Sequence, residues 1–154
     1  MKTNTNIRQV SEIKISYKPK VKTKDRYYIH NSKDAYDLLM KDAFREETIE
    51  YKEYMKVILL NKANGVLGIY PLSEGGMDTV IIDVRLILQI ALLTHSAAFI
   101  LAHNHTSGQL QPSMQDNVST EKVREAAKLL NIVLHDHLIV SENGYYSYAD
   151  EGKL

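Results

Sequence analysis

Residues 97–102 read AAFILA, a short and continuously apolar run. A run of that length with no polar alternation is what a β-strand buried on both faces looks like, which places it in the interior of an α/β architecture rather than on a half-solvated sheet. The run ends in His103-Asn104-His105. Side chains alternate along a strand, so His103 and His105 fall on one side, and both rings can reach a single ion. They also sit at the strand's C-terminal end, where α/β folds commonly hold their ligands.

After seven further residues come Ser113 and then Asp116. Zinc in a hydrolytic site takes three protein ligands and keeps a fourth position open for water. His103, His105 and Asp116 supply that number. The chain has no cysteine, so any metal site must be built from histidine and carboxylate, and neither disulfides nor a thiol nucleophile is available. Ser113 and Asp116 have a second reading, because Ser-x-x-acid ahead of an apolar-periodic helix is a capping pattern. The two readings are compatible, since a helix start holds both residues in fixed geometry. The spelling His-Asn-His does not point to an HNH nuclease, whose three named residues lie far apart in sequence.

Around this stretch, strands and helices alternate. Asn31 or Ser32 caps a helix running to about Phe44, with Ala35, Leu38, Leu39 and Ala43 at three-to-four spacing. A second helical piece is expected over 46–52. Runs 54–60 and 65–70 flank the turn Asn61-Lys62-Ala63-Asn64 and read as a hairpin. A loop over 73–76 and a short strand over 79–82 precede a helix over 83–94. Beyond the loop 106–112, Ser113 opens a helix to about Leu130, and strands are expected over 132–140 and 144–148. The domain division is 1–30 as a polar arm or edge strand, and 31–154 as one α/β domain.

Lysine plus arginine and aspartate plus glutamate both number 19, so no global field draws the protein to nucleic acid or an acidic membrane. Any nucleic-acid contact must be local, and Lys18, Lys20, Lys22 and Lys24 at every second position are the candidates for it; the plainer reading is a lysine-protected edge. No apolar stretch is long enough to span a membrane, and a soluble cytoplasmic protein is the expectation. His135, Asp136 and His137 form a second cluster without an evident third ligand of its own. A supporting role is expected, in which a carboxylate orients a ligating imidazole through its other ring nitrogen. His30 and His95 carry no pattern.

The spacing His103-x-His105, Ser113, Asp116 resembles the JAMM signature of JAB/MPN metalloproteases. Ile100-Leu101-Ala102-His103-Asn104-His105, Ser107-Gly108, Pro112-Ser113, Asp136-His137-Leu138-Ile139-Val140 and Tyr146-Ser147 are closer still to the C-terminal domain of the RadC family. The likeness covers about residues 45–150. Thr106 stands where that family usually has proline, and no helix-hairpin-helix segment is recognisable in the first 44 residues. The resemblance implies a JAB/MPN-like (cytidine-deaminase-like) fold, a mixed β-sheet flanked by helices.

It also implies roles. The JAMM pattern includes a glutamate at the start of an upstream strand as general base, and Glu53, just ahead of the 54–60 run, matches; Glu50 and Glu47 match less well. On that pattern His103, His105 and Asp116 hold Zn2+, Glu53 takes a proton from the attacking water and hands it to the leaving amine, and Ser113 hydrogen-bonds the oxyanion. The expected activity is hydrolysis of a peptide or isopeptide bond in an unidentified peptide or protein. The alternatives are a nucleic-acid-associated protein tied to DNA repair or mobile elements, as RadC naming implies, and an interaction module with a structural metal. The oligomeric state is left open.

Overall fold

The computed structural model describes residues 13–44, 46–75 and 82–154, with 46 and 47 described by their backbone alone. One mixed sheet organises it, in the order β2-β1-β3-β4-β5. These strands are β1 (Tyr54–Leu60), β2 (Val66–Glu74), β3 (Ala98–Asn104), β4 (Val133–Ser141) and β5 (Gly144–Ser147). The helices are α1 (Ser32–Asp42), the single turn α2 (Glu46–Ile49), α3 (Val84–Leu93) and α4 (Met114–Leu129). β3 is the middle strand and every one of its residues is buried, as the apolar run requires. It pairs antiparallel with β1 and parallel with β4. Parallel neighbours need a crossover, and α4 supplies it.

Alternation along β1 and β3 splits the core in two. Ile58, Leu60, Ala98, Ile100 and Ala102 face α1, meeting Ala35, Leu38 and Leu39. Met55, Val57, Leu59, Phe99 and Leu101 face the other way, against Ile87, Ile90 and Ala91 of α3 and Val123 and Ala127 of α4. Each fully buried aliphatic or aromatic side chain contributes roughly 1.5–3 kcal/mol, so these faces, rather than helix propensity, hold the short helices in place.

The caps are local and polar. Asn31, not Ser32, caps α1, its side chain accepting the Asp34 N–H at 2.9 Å. Asp83 caps α3. Ser113 and Asp116 form a complete capping box on α4. His95 and Asn131 take left-handed φ values of 55° directly after the capping residues that close α3 and α4. That is where a helix end places such a conformation, and it accounts for the otherwise patternless His95.

Several boundaries differ from the sequence expectations. α1 ends at Asp42 rather than Phe44, and α2 stops at Ile49 rather than Lys52. β2 continues to Glu74, through the expected loop at 73, because Pro71 lies on an edge strand where its missing N–H costs no ladder bond. The strand expected over 79–82 lies outside the described residues apart from Ile82. In residues 13–31 no strand forms; the only pairing is an isolated bridge between Tyr28 and Gly65, and the Tyr17 hydroxyl donates to the Leu67 carbonyl at 3.0 Å. Lys18, Lys20, Lys22 and Lys24 are exposed, and a 3-10 turn at Thr23–Asp25 breaks their period.

Between Phe99 and Ile100 the β3–β4 register slips: Phe99 pairs with Leu134 but Ile100 with Asp136, leaving His135 as an extra residue. After that bulge Asp136 lies level with Ile100 on the α1 face, and His137 lies level with Leu101 on the α4 face.

Candidate metal centre

His103 and His105 leave the end of β3 towards the first turn of α4, where the capping box has fixed Asp116. His103 Nε2 lies 3.0 Å from His105 Nε2 and 3.2 Å from Asp116 Oδ1, and His105 Nε2 lies 3.3 Å from Asp116 Oδ2. The three residues offer one ligand atom each, all within 4.8 Å of one another. In a tetrahedral site with metal–ligand distances of about 2.0–2.2 Å, neighbouring ligand atoms stand roughly 3.3–3.6 Å apart. The observed triangle is a few tenths of an ångström tighter than that.

The hydrogen bonds behind the rings decide which nitrogens face inward with lone pairs. Thr120 Oγ1 donates its one hydrogen to the Asp116 carbonyl at 2.6 Å, since a carbonyl only accepts. Its 2.6 Å contact with His137 Nδ1 is therefore a bond donated by the ring. His137 is fully buried and burial holds its pKa well below the usual imidazole value, so it carries one proton, on Nδ1, and accepts at Nε2. His103 Nδ1, 2.8 Å away, must then be the donor. By the same logic His105 Nδ1 donates to the Gln109 carbonyl at 2.8 Å. Both Nε2 atoms are left with inward-facing lone pairs beside a carboxylate, a donor set that fits a divalent cation.

Without an ion, a proton fills that role. A hydrogen bond with Asp116 raises the pKa of His105, with smaller contributions from the Gln109 carbonyl and the charge of Glu53, although burial opposes it. Burial alone would raise the Asp116 carboxyl, but contacts with His103, His105 and Ser113 outweigh it and hold the group well below the usual carboxylate range. Each shift has its own sign. The raised His105 value adds stability below about pH 6.5 that is lost as pH climbs through the folded value. The lowered Asp116 value adds stability above about pH 3.9 that is lost only on strong acidification. The depressed His137 value has the opposite sign, so the test is site by site: in metal-free protein in EDTA the His105 ring proton resonances are expected to titrate above the ordinary imidazole value and those of His137 below it, and His105 titrating at or below that value would remove the His105–Asp116 pair as an ionised unit.

Glu53 is buried and lines a cleft of about 790 Å³ together with His103, His105, Ser113 and Asp116. Glu50 is exposed and lines a separate, smaller cavity, and the side chain of Glu47 lies outside the described residues. Ser113 Oγ donates to Asp116 Oδ2 at 2.7 Å and accepts the Asp116 N–H at 3.1 Å. Further along the cleft the lining is uncharged and mixes polar residues such as Ser107, Gln109 and Gln111 with apolar Met55, Ile82 and Pro112.

The second histidine cluster is split by the bulge. His137, and not the carboxylate expected to orient a ligand, meets the outer nitrogen of His103. Asp136 turns away to accept bonds from Ser147 Oγ at 2.6 Å, His137 N at 2.7 Å and Ala149 N at 3.0 Å. His135 is exposed and contacts Asn64 Oδ1 at 3.1 Å. Sequence spacing does not single out Thr120. Its position four residues after Asp116, on a helix whose start bears a candidate ligand, is the one signal available.

Comparison with known proteins shows the family. A family model described as RadC-like JAB domain matches residues 29–153. A UPF0758 protein of Flavobacterium johnsoniae is 40% identical over 124 residues, covering 80% of this chain and 52% of that protein. One from Porphyromonas gingivalis is 46% identical over 104 residues, covering 67% and 46%, and one from Thermotoga maritima is 37% identical over 103 residues, covering 67% and 46%. The chain spans about half the length of these relatives.

Proposed function

Given that the chain belongs to the RadC-like JAB domain family, we propose that it is a zinc-dependent hydrolase of amide bonds, acting on a peptide or isopeptide link. The observation that carries this reading is the convergence of two imidazole lone pairs and a carboxylate, each imidazole's other nitrogen being tied to an acceptor. Carboxylate and neutral imidazole donors suit zinc, and no sulfur ligand is needed.

His103, His105 and Asp116 would hold the ion. Bound there, zinc would supply Lewis acidity and bring a water's pKa towards about 7. Glu53, in the same cleft, is the group to accept that water's proton and pass it to the departing amine. Ser113 serves a developing oxyanion by rotating its hydrogen off Asp116 Oδ2, an exchange that stays within the cleft it lines. A cleft of about 790 Å³ lies in the range of small-ligand sites, and suits a few residues of an extended chain. Its uncharged wall of mixed polar and apolar residues favours substrate backbone and uncharged side chains over charged ones.

Protein purified without chelator is expected to contain about one zinc per chain. Ion at a hundred to a thousand times its dissociation constant adds about 2.7–4.1 kcal/mol of stability. That corresponds to a melting temperature roughly 5–15 °C above that of EDTA-treated protein. Zinc-free preparations whose melting does not respond to added zinc would sink the reading.

A further inference from the structure

We propose that Asn104, the residue between the two histidines, is a positioning residue that holds Glu53 in place. The proposal rests on the zinc-hydrolase reading for its purpose, but its geometry stands on the fold. In the antiparallel ladder of β1 and β3, Met55 lies opposite His103. Carrying that register outward sets position 54 against 104 and position 53 against 105. Alternation then turns Glu53 to the side of His105, and Tyr54 with Asn104 to the side of α1.

Asn104 is wholly buried there, and its carboxamide is fully used. Oδ1 accepts the Tyr54 N–H at 2.8 Å; Nδ2 donates to the Lys52 carbonyl at 2.8 Å and to the Ile49 carbonyl. The Lys52 carbonyl and the Tyr54 N–H belong to the two peptide groups on either side of Glu53. One side chain therefore clamps both. The amide's orientation is forced, since a backbone N–H only donates and the two carbonyls only accept.

This clamp matters because Glu53 lies just outside the β1 ladder, after the turn that follows α2. Glu53 itself keeps one backbone bond, its carbonyl accepting the Gly75 N–H at 2.9 Å on the β2 side, and the Asn104 side chain supplies the anchors on the β3 side. Few residues can replace it. Aspartate lacks the donors, alanine and serine lack the reach or the second function, and glutamine is one methylene too long for a buried site with no slack. The tripeptide thus presents the ligands on one face of β3 and sets the proposed base from the other.

A double-mutant cycle on zinc affinity tests this without a substrate, because a dication on His103, His105 and Asp116 senses a nearby carboxylate. Dissociation constants are measured against a chromophoric chelator for wild type, Glu53→Gln, Asn104→Ala and the double variant. Glu53→Gln is expected to weaken zinc about tenfold, Asn104→Ala by a similar factor, and Asn104→Ala to add less than about twofold once Glu53 is gone. Wild-type affinity in Asn104→Ala, or effects that multiply in full, overturns the proposal; the second result means that Asn104 acts on the histidines directly.

Amide exchange provides an arm independent of the metal, and Asn104→Ser serves where Asn104→Ala does not fold. In metal-free protein the Tyr54 N–H is expected to be protected and to exchange at least about tenfold faster in Asn104→Ser, with amides of β4 unchanged. Equal Tyr54 protection in both proteins overturns the clamp. Failure of wild type to bind zinc removes the hydrolase reading and leaves this exchange result to decide the clamp.

Discussion

Replacing Glu53 by glutamine is expected to lower amide hydrolysis by about 10²–10⁴-fold while the protein still takes up about one zinc per chain. Glutamine keeps the size and burial of the side chain but lacks a carboxylate to accept a proton. The loss should fall on kcat, and the acid limb of the pH profile should disappear with it. The comparison is made on fluorogenic peptides and isopeptides that the wild type cleaves. Turnover within a few fold of wild type would show that Glu53 is not the base. Loss of the metal along with the activity would instead make its role electrostatic support for the ion.

The second large effect is on stability. Phe99 is fully buried near the start of β3, on the face that packs against α3 and α4. Phe99→Ala removes that ring and leaves a cavity, at about 3–5 kcal/mol. A domain of this size has about 5–15 kcal/mol in total. The urea midpoint should therefore fall steeply with little change in slope. β3 carries both histidines and α4 carries Asp116, so this contact joins the two elements that bear the candidate ligands. Zinc well above its dissociation constant should return up to about 4 kcal/mol and refold a variant that chelation unfolds. A midpoint shift under about 1 kcal/mol would mean that α3 and α4 collapse into the space without disturbing β3.

How much of the molecule is legible in the sequence depends on the range of each interaction. The buried strand, the paired histidines and the Ser113–Asp116 cap are set by neighbours within a few residues, and local spacing reveals them. Glu53 is different. That it stands beside His105 follows from the pairing of β1 with β3, which no local pattern encodes, and only the family pattern points to it. The choice between Asp136 and His137 turns on the bulge at His135, where the count of residues changes face. In the sequence Asn104 reads as a mere spacer; alternation places it opposite the histidines, but its partners lie some fifty residues upstream, between Ile49 and Tyr54. Thr120 is hidden inside a helix, where threonine draws no notice.

That bulge also makes the start of β4 sensitive to register as well as to composition. Exposed connections ordinarily accept insertions and deletions, and Val133 and His135 are exposed. Here the bulge sets a phase. If the same residues paired with β3 without the bulge, Asp136 would fall opposite Leu101 and bring a carboxylate to the back of His103, and His137 would turn towards α1. His103 would gain a charged anchor in place of a neutral one, and an ion bound at the candidate site would sit in a more negative field. In this fold, a one-residue change of strand register at a surface position is a route to retuning a buried candidate metal site without touching a ligand.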